Sequence, residues 1–327
     1  MFSLLNEHQK HGGIDLKKIA FLFPGQGSQS VGMGEDIYQE FGLVREIFDM
    51  ASEIARINLS KLCFKGPMED LTQTVNLQPA ITAVNLGILT ILEKESLAGE
   101  ISAGHSLGEY SALYSGGAVS KEDTIRMVIK RGELMHREAV QHLGAMHAIV
   151  GLPIDAVQEI VDGVQKQGVV SVANHNTETQ IVITGSPDPV AKVSARAEEQ
   201  GARAIPLKVS GAWHSELMRG AQDEFREYLE TIPFQAPVRS ILMNVTAELA
   251  EDPDEIREIM TKHLCSPVRW FDSIRKMMDA GIEMFAEIGP GKVLAGLVKK
   301  ILPVDYPAEV YTVNNLKTLE KFLEAAV

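Results

Sequence analysis

Cysteine is scarce in this chain of 327 residues, which contains only Cys63 and Cys265. Neither cysteine has the close Cys/His spacing of a metal site, so a disulfide framework or a zinc site is not expected. Apolar runs are short too, and none approaches the roughly 18 residues of a membrane span. Residues 1–18 are polar and lack the apolar segment of a signal peptide, so residues 1–17 are expected to form a loose N-terminal extension. We expect a cytoplasmic protein without membrane contact.

Basic charge is also in deficit. Lysine and arginine number 31 against 44 acidic residues, which gives a net charge of −13. General nucleic-acid binding needs a basic surface and is therefore not expected, although a local basic patch for an acidic partner remains open. Hydrophobic residues make up 45% and charged residues 23%, as in ordinary globular proteins, and the length allows one large domain or two lobes.

The most informative motif is the five-residue stretch at 104–108, which reads G-H-S-L-G. It matches the G-x-S-x-G nucleophile elbow, in which a serine lies on a tight turn between a strand and a helix. Glycines let the backbone bend sharply, so that the serine hydroxyl is exposed beside main-chain N–H groups. A purely structural glycine-rich turn can have the same five residues. Other parts of the sequence are therefore needed to distinguish a nucleophile elbow from such a turn.

Strand and helix patterns alternate along most of the chain. Residues 18–23 form a short apolar run followed by turn residues, which predicts a buried parallel strand. Helical periodicity follows over residues 35–56 and 78–94, and again after the motif from about 121 to 139. This alternation predicts an α/β fold, resembling an α/β-hydrolase, with a parallel sheet. We assign this large lobe to residues 18–143 and 209–327.

The segment between those two parts has a different rhythm. Strands are predicted at 145–152, 169–173, 180–184 and 202–207, with helices at 154–164 and 187–200. The order β-α-β-β-α-β is typical of the ferredoxin-like fold. We therefore assign residues 144–208 to a small ferredoxin-like lobe inserted into the larger one.

A serine nucleophile needs a base within hydrogen-bond reach, and His214 is the leading candidate. It lies where the inserted lobe returns to the large one, and junctions of this kind favour ligand clefts. A histidine that caps the helix near Ser215 is the alternative. His105 is a second candidate, but residues next to each other in an elbow diverge, so it more plausibly shapes the turn. His175 lies in a polar loop that could line a cleft. The remaining histidines read as solvated (His8, His11, His136, His142) or structural (His147).

Two further features could serve a site built around this serine. Arg131 lies on the helix after the elbow, and its simplest interpretation is a surface arginine paired with Glu133 or another acid. Residues 23–29 read F-P-G-Q-G-S-Q and lack the lysine and spacing of a P-loop. Such a loop could instead offer a backbone N–H to an oxyanion.

The chain contains five motifs in a fixed order along its sequence: residues 23–29 (FPGQGSQ), 104–112 (GHSLGEYSA), 131–132 (RG), 212–215 (AWHS) and 287–291 (EIGPG). In this order and spacing the chain resembles the malonyl-CoA:acyl carrier protein transacylases, which include fatty-acid enzymes and the free-standing acyltransferases of polyketide synthases. The resemblance extends from about residue 18 to about residue 313. It implies a malonyl transfer that proceeds through an ester on the serine.

The resemblance also implies roles for single residues. Ser106 matches the nucleophile, and His214 matches the base that takes its proton and later activates the incoming thiol. The backbone N–H groups of Gln26 and Leu107 match the oxyanion hole. Arg131 matches the arginine that holds the malonyl carboxylate in a bidentate pair. Residues implied to line the substrate cleft are Asn174, in the small-lobe segment bordering it, and His105.

Two positions depart from the family pattern. The base of the family is oriented by a backbone carbonyl from the segment that corresponds to residues 262–268, where His263 replaces the usual glutamine. We expect catalysis to tolerate His263, with a change in its surroundings or pH response. Trp213 replaces the phenylalanine or serine that commonly precedes the base. This bulky ring is expected to disfavour branched units such as methylmalonyl, or to indicate an unusual substrate.

The resemblance implies malonyl-CoA as donor, an acyl carrier protein as acceptor, no cofactor and a monomer. Carrier proteins are acidic, so the cleft mouth is expected to hold local positive charge, with Arg203, Lys208 and Arg269 as candidates. Alternatives are a hydrolase that clears acyl chains from carrier proteins, a transferase for a substituted malonyl unit, and a non-enzymatic scaffold. Hydrolytic relatives tend to lack the arginine, so Arg131 disfavours the first, and the intact Ser106, His214 and Arg131 disfavour the last.

Overall fold

The computed structural model describes residues 17–326, so all but the last residue of the expected N-terminal extension lies outside the described residues. The strands are β1 (Ile19–Phe23), β2 (Ile101–Gly104), β3 (Ala145–Val150), β4 (Val170–Thr177), β5 (Gln180–Gly185), β6 (Arg203–Pro206), β7 (Ser240–Ile241), β8 (Met284–Ile288) and β9 (Glu309–Val313). The helices are α1 (Glu35–Glu40), α2 (Gly42–Ala55), α3 (Leu59–Lys65), α4 (Met68–Thr72), α5 (Thr74–Lys94), α6 (Gly108–Ser115), α7 (Lys121–Gln141), α8 (Ile154–Asp162), α9 (Pro187–Glu199), α10 (Arg219–Leu229), α11 (Pro253–Lys262), α12 (Trp270–Asp279), α13 (Val293–Ile301) and α14 (Leu316–Ala325).

The larger sheet is parallel and has the strand order β7-β2-β1-β8-β9. Its central strand β1 is buried at every position, as expected for a strand covered by helices on both faces. Because β1 lies between β2 and β8, the turns after these three strands meet at one edge of the sheet. The predicted α/β class with a parallel sheet is confirmed.

The second sheet is antiparallel, with the order β4-β5-β3-β6. Helices α8 and α9 pack on it around an apolar cluster that includes Ile149, Ile183 and Val193. The sequence order β3-α8-β4-β5-α9-β6 is the predicted ferredoxin-like arrangement. Strand β4 also joins the larger unit, since Val268 donates its N–H to Ala173 O at 2.8 Å and accepts from His175 N at 2.9 Å.

Two helices differ from their sequence-based bounds by more than two residues. The helix expected over 35–56 is divided at Phe41, whose extended backbone (φ −110°, ψ 122°) ends α1 before α2 begins. The helix expected from residue 78 begins earlier, at Thr74, and continues through Pro79. Helix α5 is long and apolar enough to cross a membrane by length and composition, although no such run was expected. Within the protein, 89% of its apolar window is buried as a core helix.

Candidate active site

The serine motif forms a turn between β2 and α6. Ser106 has a φ of +50°, a conformation that L side chains rarely adopt. A Cβ at Gly104 would lie 1.9 Å from the carbonyl carbon of Gly108, and one at Gly108 would lie 1.9 Å from Phe23 O. Both obstacles are backbone atoms that cannot move aside, so the two glycines of the motif are required by the packing.

His214 lies next to the serine side chain. Its Nε2 is 2.8 Å from Ser106 Oγ, and its Nδ1 is 3.0 Å from both His263 O and Ser266 O. Carbonyl oxygens only accept hydrogen bonds, so Nδ1 carries the proton and Nε2 is left to accept from the serine hydroxyl. The ring is therefore held in the tautomer that a general base requires.

Arg131 reaches the same serine from α7. Its Nη2 donates to Ser106 Oγ at 3.0 Å and its Nη1 donates to Gln78 Oε1 at 3.0 Å. The arginine is only 2% exposed, so the interpretation as a surface residue paired with Glu133 is wrong. Its Nε is buried without a hydrogen-bond partner among residues 17–326, and a buried cation of this kind is costly unless an anion joins it.

The surroundings of His214 favour its neutral form. Burial and, to a smaller extent, the charge of Arg131 lower its pKa from 6.5 to about 3. The hydrogen bonds to the carbonyls of His263 and Ser266 oppose this effect only in part. Nε2 is thus unprotonated and in place to accept the serine proton throughout the neutral pH range.

The loop after β1 packs against the elbow. A Cβ at Gly25 would lie 2.5 Å from His105 O and 3.4 Å from Leu107 N, so only glycine allows this approach. Among residues 17–326, neither Gln26 N–H nor Leu107 N–H donates a hydrogen bond to another residue. Two unused donors on adjoining turns are the arrangement that an oxyanion hole needs.

The other predicted cleft residues lie around this centre. His105 Nε2 is 2.8 Å from Asn176 Oδ1, whereas Asn174, two residues earlier on β4, pairs through its backbone with Val268. His175 lies in β4, and not in a loop as expected, because the strand extends to Thr177. Trp213 is buried, and a Cβ at Gly211 would lie 2.7 Å from its ring.

Sequence reasoning missed several residues that support the site. Asn244 Oδ1 accepts from Ser106 N at 2.8 Å, and its Nδ2 donates to Gly104 O at 2.6 Å. Glu109 Oε1 in turn accepts from Asn244 N at 2.6 Å. Glu109 and Gln78 are fully buried polar residues, and Gln78 stands in the apolar run of α5, a signal that could have revealed it. Asn244 has no comparable signal.

Comparison with known proteins identifies the chemistry. Residues 20–318 match the acyl transferase domain family. A malonyl CoA-acyl carrier protein transacylase of Bacillus subtilis is 43% identical over 288 residues, which cover 88% of this chain and 91% of the relative.

Solved structures agree with the sequence match. The acyl carrier protein S-malonyltransferase of Vibrio cholerae superimposes with a TM-score of 0.89 at 39% identity, covering 93% of this chain and 99% of that one. A malonyl-transacylase solved in complex with its type II polyketide acyl-carrier protein gives 0.90 at 36% identity, covering 94% and 99%. The chain belongs to the acyl transferase family and, within it, to the malonyl-CoA:acyl carrier protein transacylases.

Proposed function

We propose that this protein transfers malonyl from malonyl-CoA to the phosphopantetheine thiol of an acyl carrier protein, in two steps through an ester on Ser106. The observation that carries the proposal is the contact between Arg131 and the nucleophile. A cation 3.0 Å from Ser106 Oγ is placed to bind an acyl group that ends in a carboxylate.

In the first step, Ser106 Oγ attacks the malonyl thioester carbonyl while its proton passes to His214 Nε2. The N–H groups of Gln26 and Leu107 stabilise the oxyanion of the tetrahedral intermediate. Collapse of this intermediate breaks the C–S bond. Coenzyme A leaves as a thiol with the proton from His214, and malonyl-Ser106 remains.

In the second step, the phosphopantetheine thiol gives its proton to His214 Nε2 and attacks the ester. The second tetrahedral intermediate collapses with cleavage of the C–O bond to the serine. Ser106 Oγ recovers the proton from His214, and the malonyl group leaves on the carrier protein. No redox change occurs and no cofactor is required.

Selectivity for malonyl rests on Arg131 and Trp213. Arg131 forms an ion pair with the malonyl carboxylate, which an acetyl group lacks. The bulk of Trp213 disfavours the extra methyl group of methylmalonyl. We assign Asn174 and His105 to the walls of the acyl cleft. His263 supplies the carbonyl that orients the base.

We place this enzyme in the cytoplasm as a monomer. We assign it two lobes, residues 18–143 with 209–327 and residues 144–208, and an N-terminal extension at 1–17. Arg203, Lys208 and Arg269 lie on the surface and supply the positive charge for an acidic carrier protein. Lys208 and Arg203 are unpaired within residues 17–326, whereas Arg269 bonds Asp272 at 2.9 Å.

The test is incubation of the enzyme with malonyl-, methylmalonyl- or acetyl-CoA, with and without holo carrier protein, followed by mass spectrometry. We expect a malonyl adduct on Ser106 that disappears when carrier protein is added and is absent from Ser106→Ala. Rapid loss of the adduct to water, with no malonyl on the carrier protein, would instead establish the hydrolase alternative. Absence of any adduct with malonyl-CoA would refute the proposal.

A further inference from the structure

The His263 side chain is a buried polar group that the mechanism above does not use. It is 0% exposed, and neither ring nitrogen makes a hydrogen bond with any residue among 17–326. Its Nδ1 lies 3.3 Å from Oε2 of Glu109, which is also fully buried and also lacks a hydrogen bond. Buried polar atoms without partners cost free energy, and a small shift would satisfy both of these atoms at once.

This contact joins the supports of the two catalytic residues. The carbonyl of His263 accepts from His214 Nδ1, and so orients the base. On the other side, Glu109 Oε1 accepts from Asn244 N, and the Asn244 side chain accepts from Ser106 N. A continuous path thus leads from the nucleophile through Asn244, Glu109 and His263 to the base.

Electrostatics favour neutral forms of both partners. Burial raises the pKa of Glu109, and it lowers the pKa of His263 well below its usual value. The nearby positive charge of Arg131 further disfavours an imidazolium at His263. A protonated carboxyl can donate to a neutral imidazole, so one O–H···N bond satisfies the pair without burying a charge.

We propose that Glu109 and His263 form a neutral hydrogen-bonded pair, Oε2–H to Nδ1, and act as positioning residues that fix the elbow and the base relative to each other. The inference rests on the proposed roles of Ser106 and His214. The pair would be particular to chains with a histidine at position 263, where the family usually has glutamine.

The test compares variants that keep a hydrogen bond with variants that cannot form one. Glu109→Gln retains an acceptor for Asn244 N and gains an N–H donor toward Nδ1, and His263→Gln offers an amide oxygen that accepts from the Glu109 O–H. Both are expected to keep kcat within about threefold. Glu109→Leu and His263→Phe remove the bond, and each is expected to lower kcat by about tenfold or more with KM for malonyl-CoA little changed, because misplaced catalytic groups lose rate. The double variant Glu109→Leu/His263→Phe is expected to be no slower than the slower single variant.

Two direct readouts complete the experiment. Nitrogen-15 NMR is expected to show His263 neutral and protonated at Nε2 at neutral pH, and the His214 Nδ1 proton to be ordered in Glu109→Gln but broadened in Glu109→Leu. Inactivation by phenylmethanesulfonyl fluoride reports on the Ser106–His214 pair without any acyl substrate, which separates failure of this inference from failure of the proposed function. His147→Gln, which alters a histidine bonded to Ser194 on the small sheet, is the matched control.

Three results would overturn the inference. One is an unchanged kcat in Glu109→Leu or His263→Phe. Another is additive losses in the double variant. The third is a charged His263 or its Nδ1–H tautomer in the NMR spectrum, a measurement that needs only the unmodified protein and therefore stands even if the leucine and phenylalanine variants do not fold.

Discussion

Ser106 Oγ lies between a neutral base and a buried cation. His214 Nε2 accepts its proton at 2.8 Å, while Arg131 Nη2 donates to it at 3.0 Å. The guanidinium lowers the proton affinity of the base, and in the proposed mechanism it also selects the charge of the acyl group. Substitution of this single residue should change two properties that are usually independent.

The first prediction concerns Arg131→Ala. The malonyl-over-acetyl preference in kcat/KM should fall by more than tenfold, because a charge-assisted pair contributes about 1.5–3 kcal/mol. The pKa of His214 should also rise, since a neighbouring positive charge is removed. The neutral form is the reactive one and is lost as pH falls through that pKa. The rate of inactivation by phenylmethanesulfonyl fluoride should thus be nearly constant from pH 8 down to about 5 in the unmodified enzyme. In the variant, the fall in this rate on acidification should begin at a higher pH.

Arg126→Ala is the control for that experiment. Arg126 lies on the same helix but is exposed, in an ion pair with Asp123. It should change neither selectivity nor the pH profile. An Arg131→Ala enzyme with unaltered malonyl preference would contradict the assignment of the carboxylate site.

The second prediction is that Trp213→Ser raises the ratio of methylmalonyl to malonyl transfer about tenfold, because the loss of ring volume relieves the exclusion of one extra methyl group. Competition between the two CoA esters, with the products on the carrier protein counted by mass spectrometry, measures this ratio. Trp270→Phe, a change to the other tryptophan, which packs beside His105, serves as the comparison and should leave the ratio as it was. An unchanged ratio in Trp213→Ser would remove Trp213 from the specificity pocket.

Among single residues, the sequence motifs located the three side chains that meet in the candidate site but not the residues that support them. Ser106, His214 and Arg131 each lie in a recognisable stretch, and the structure brings the three together. Asn244 has no motif, and it meets Ser106 from 138 residues away along the chain. Glu109 was visible only as part of the elbow motif, because its partners Asn244 and His263 come from distant segments.

Helix α7 carries both a stabilising N-terminal cap and the site residue Arg131. Its N-terminus is capped by Ser120, whose Oγ accepts from Asp123 N at 3.0 Å, and Arg131 follows about three turns later. The cap is about three helical turns from Arg131, so its loss should weaken the helix end without displacing the guanidinium.

The third prediction is therefore that Ser120→Ala lowers the free energy of unfolding by about 1 kcal/mol, the usual contribution of an N-cap. Urea denaturation followed by circular dichroism measures the change, and kcat should stay within about twofold. Ser60→Ala, a change to an exposed serine just after the cap of α3, should have a smaller effect. A loss of activity larger than the loss of stability would show that the helix end and Arg131 are coupled.

Elements with strong local signals were predicted well, as the strands and helices of the small sheet illustrate. The break at Phe41 was missed because the apolar periodicity continues across it. Strand β9 was not assigned either: its residues are half-buried at the edge of the parallel sheet, so they lack the continuous apolar run that made β1 visible.

For the whole molecule, net charge has to be reconciled with an acidic partner. A total of −13 repels an acidic carrier protein at long range, so a local cluster of cations must offset that repulsion where the two proteins meet. Lys208 and Arg203 are exposed near the return of the chain to the larger sheet, six and eleven residues before His214.

The fourth prediction follows: Lys208→Glu should raise KM for the carrier protein several-fold while KM for malonyl-CoA and the rate of Ser106 acylation change little. The effect should diminish as salt is added, because exposed charges are screened over about 10 Å at 0.1 M. Lys317→Glu, the same charge change on α14, is the control for altered net charge. Equal effects of the two substitutions would show that total charge and not a local docking patch governs the encounter.

The long separation of nucleophile and base has a consequence for protein synthesis. Ser106 and His214 are 108 residues apart, with the small antiparallel sheet between them, and the carbonyls that orient His214 come another 49 and 52 residues later. At about 5–20 residues per second, the ribosome completes the elbow several seconds before it makes the base, and several more before the base can be oriented. We therefore expect Ser106 to lack an oriented base on the nascent chain, so that activity begins only once most of the polypeptide has folded.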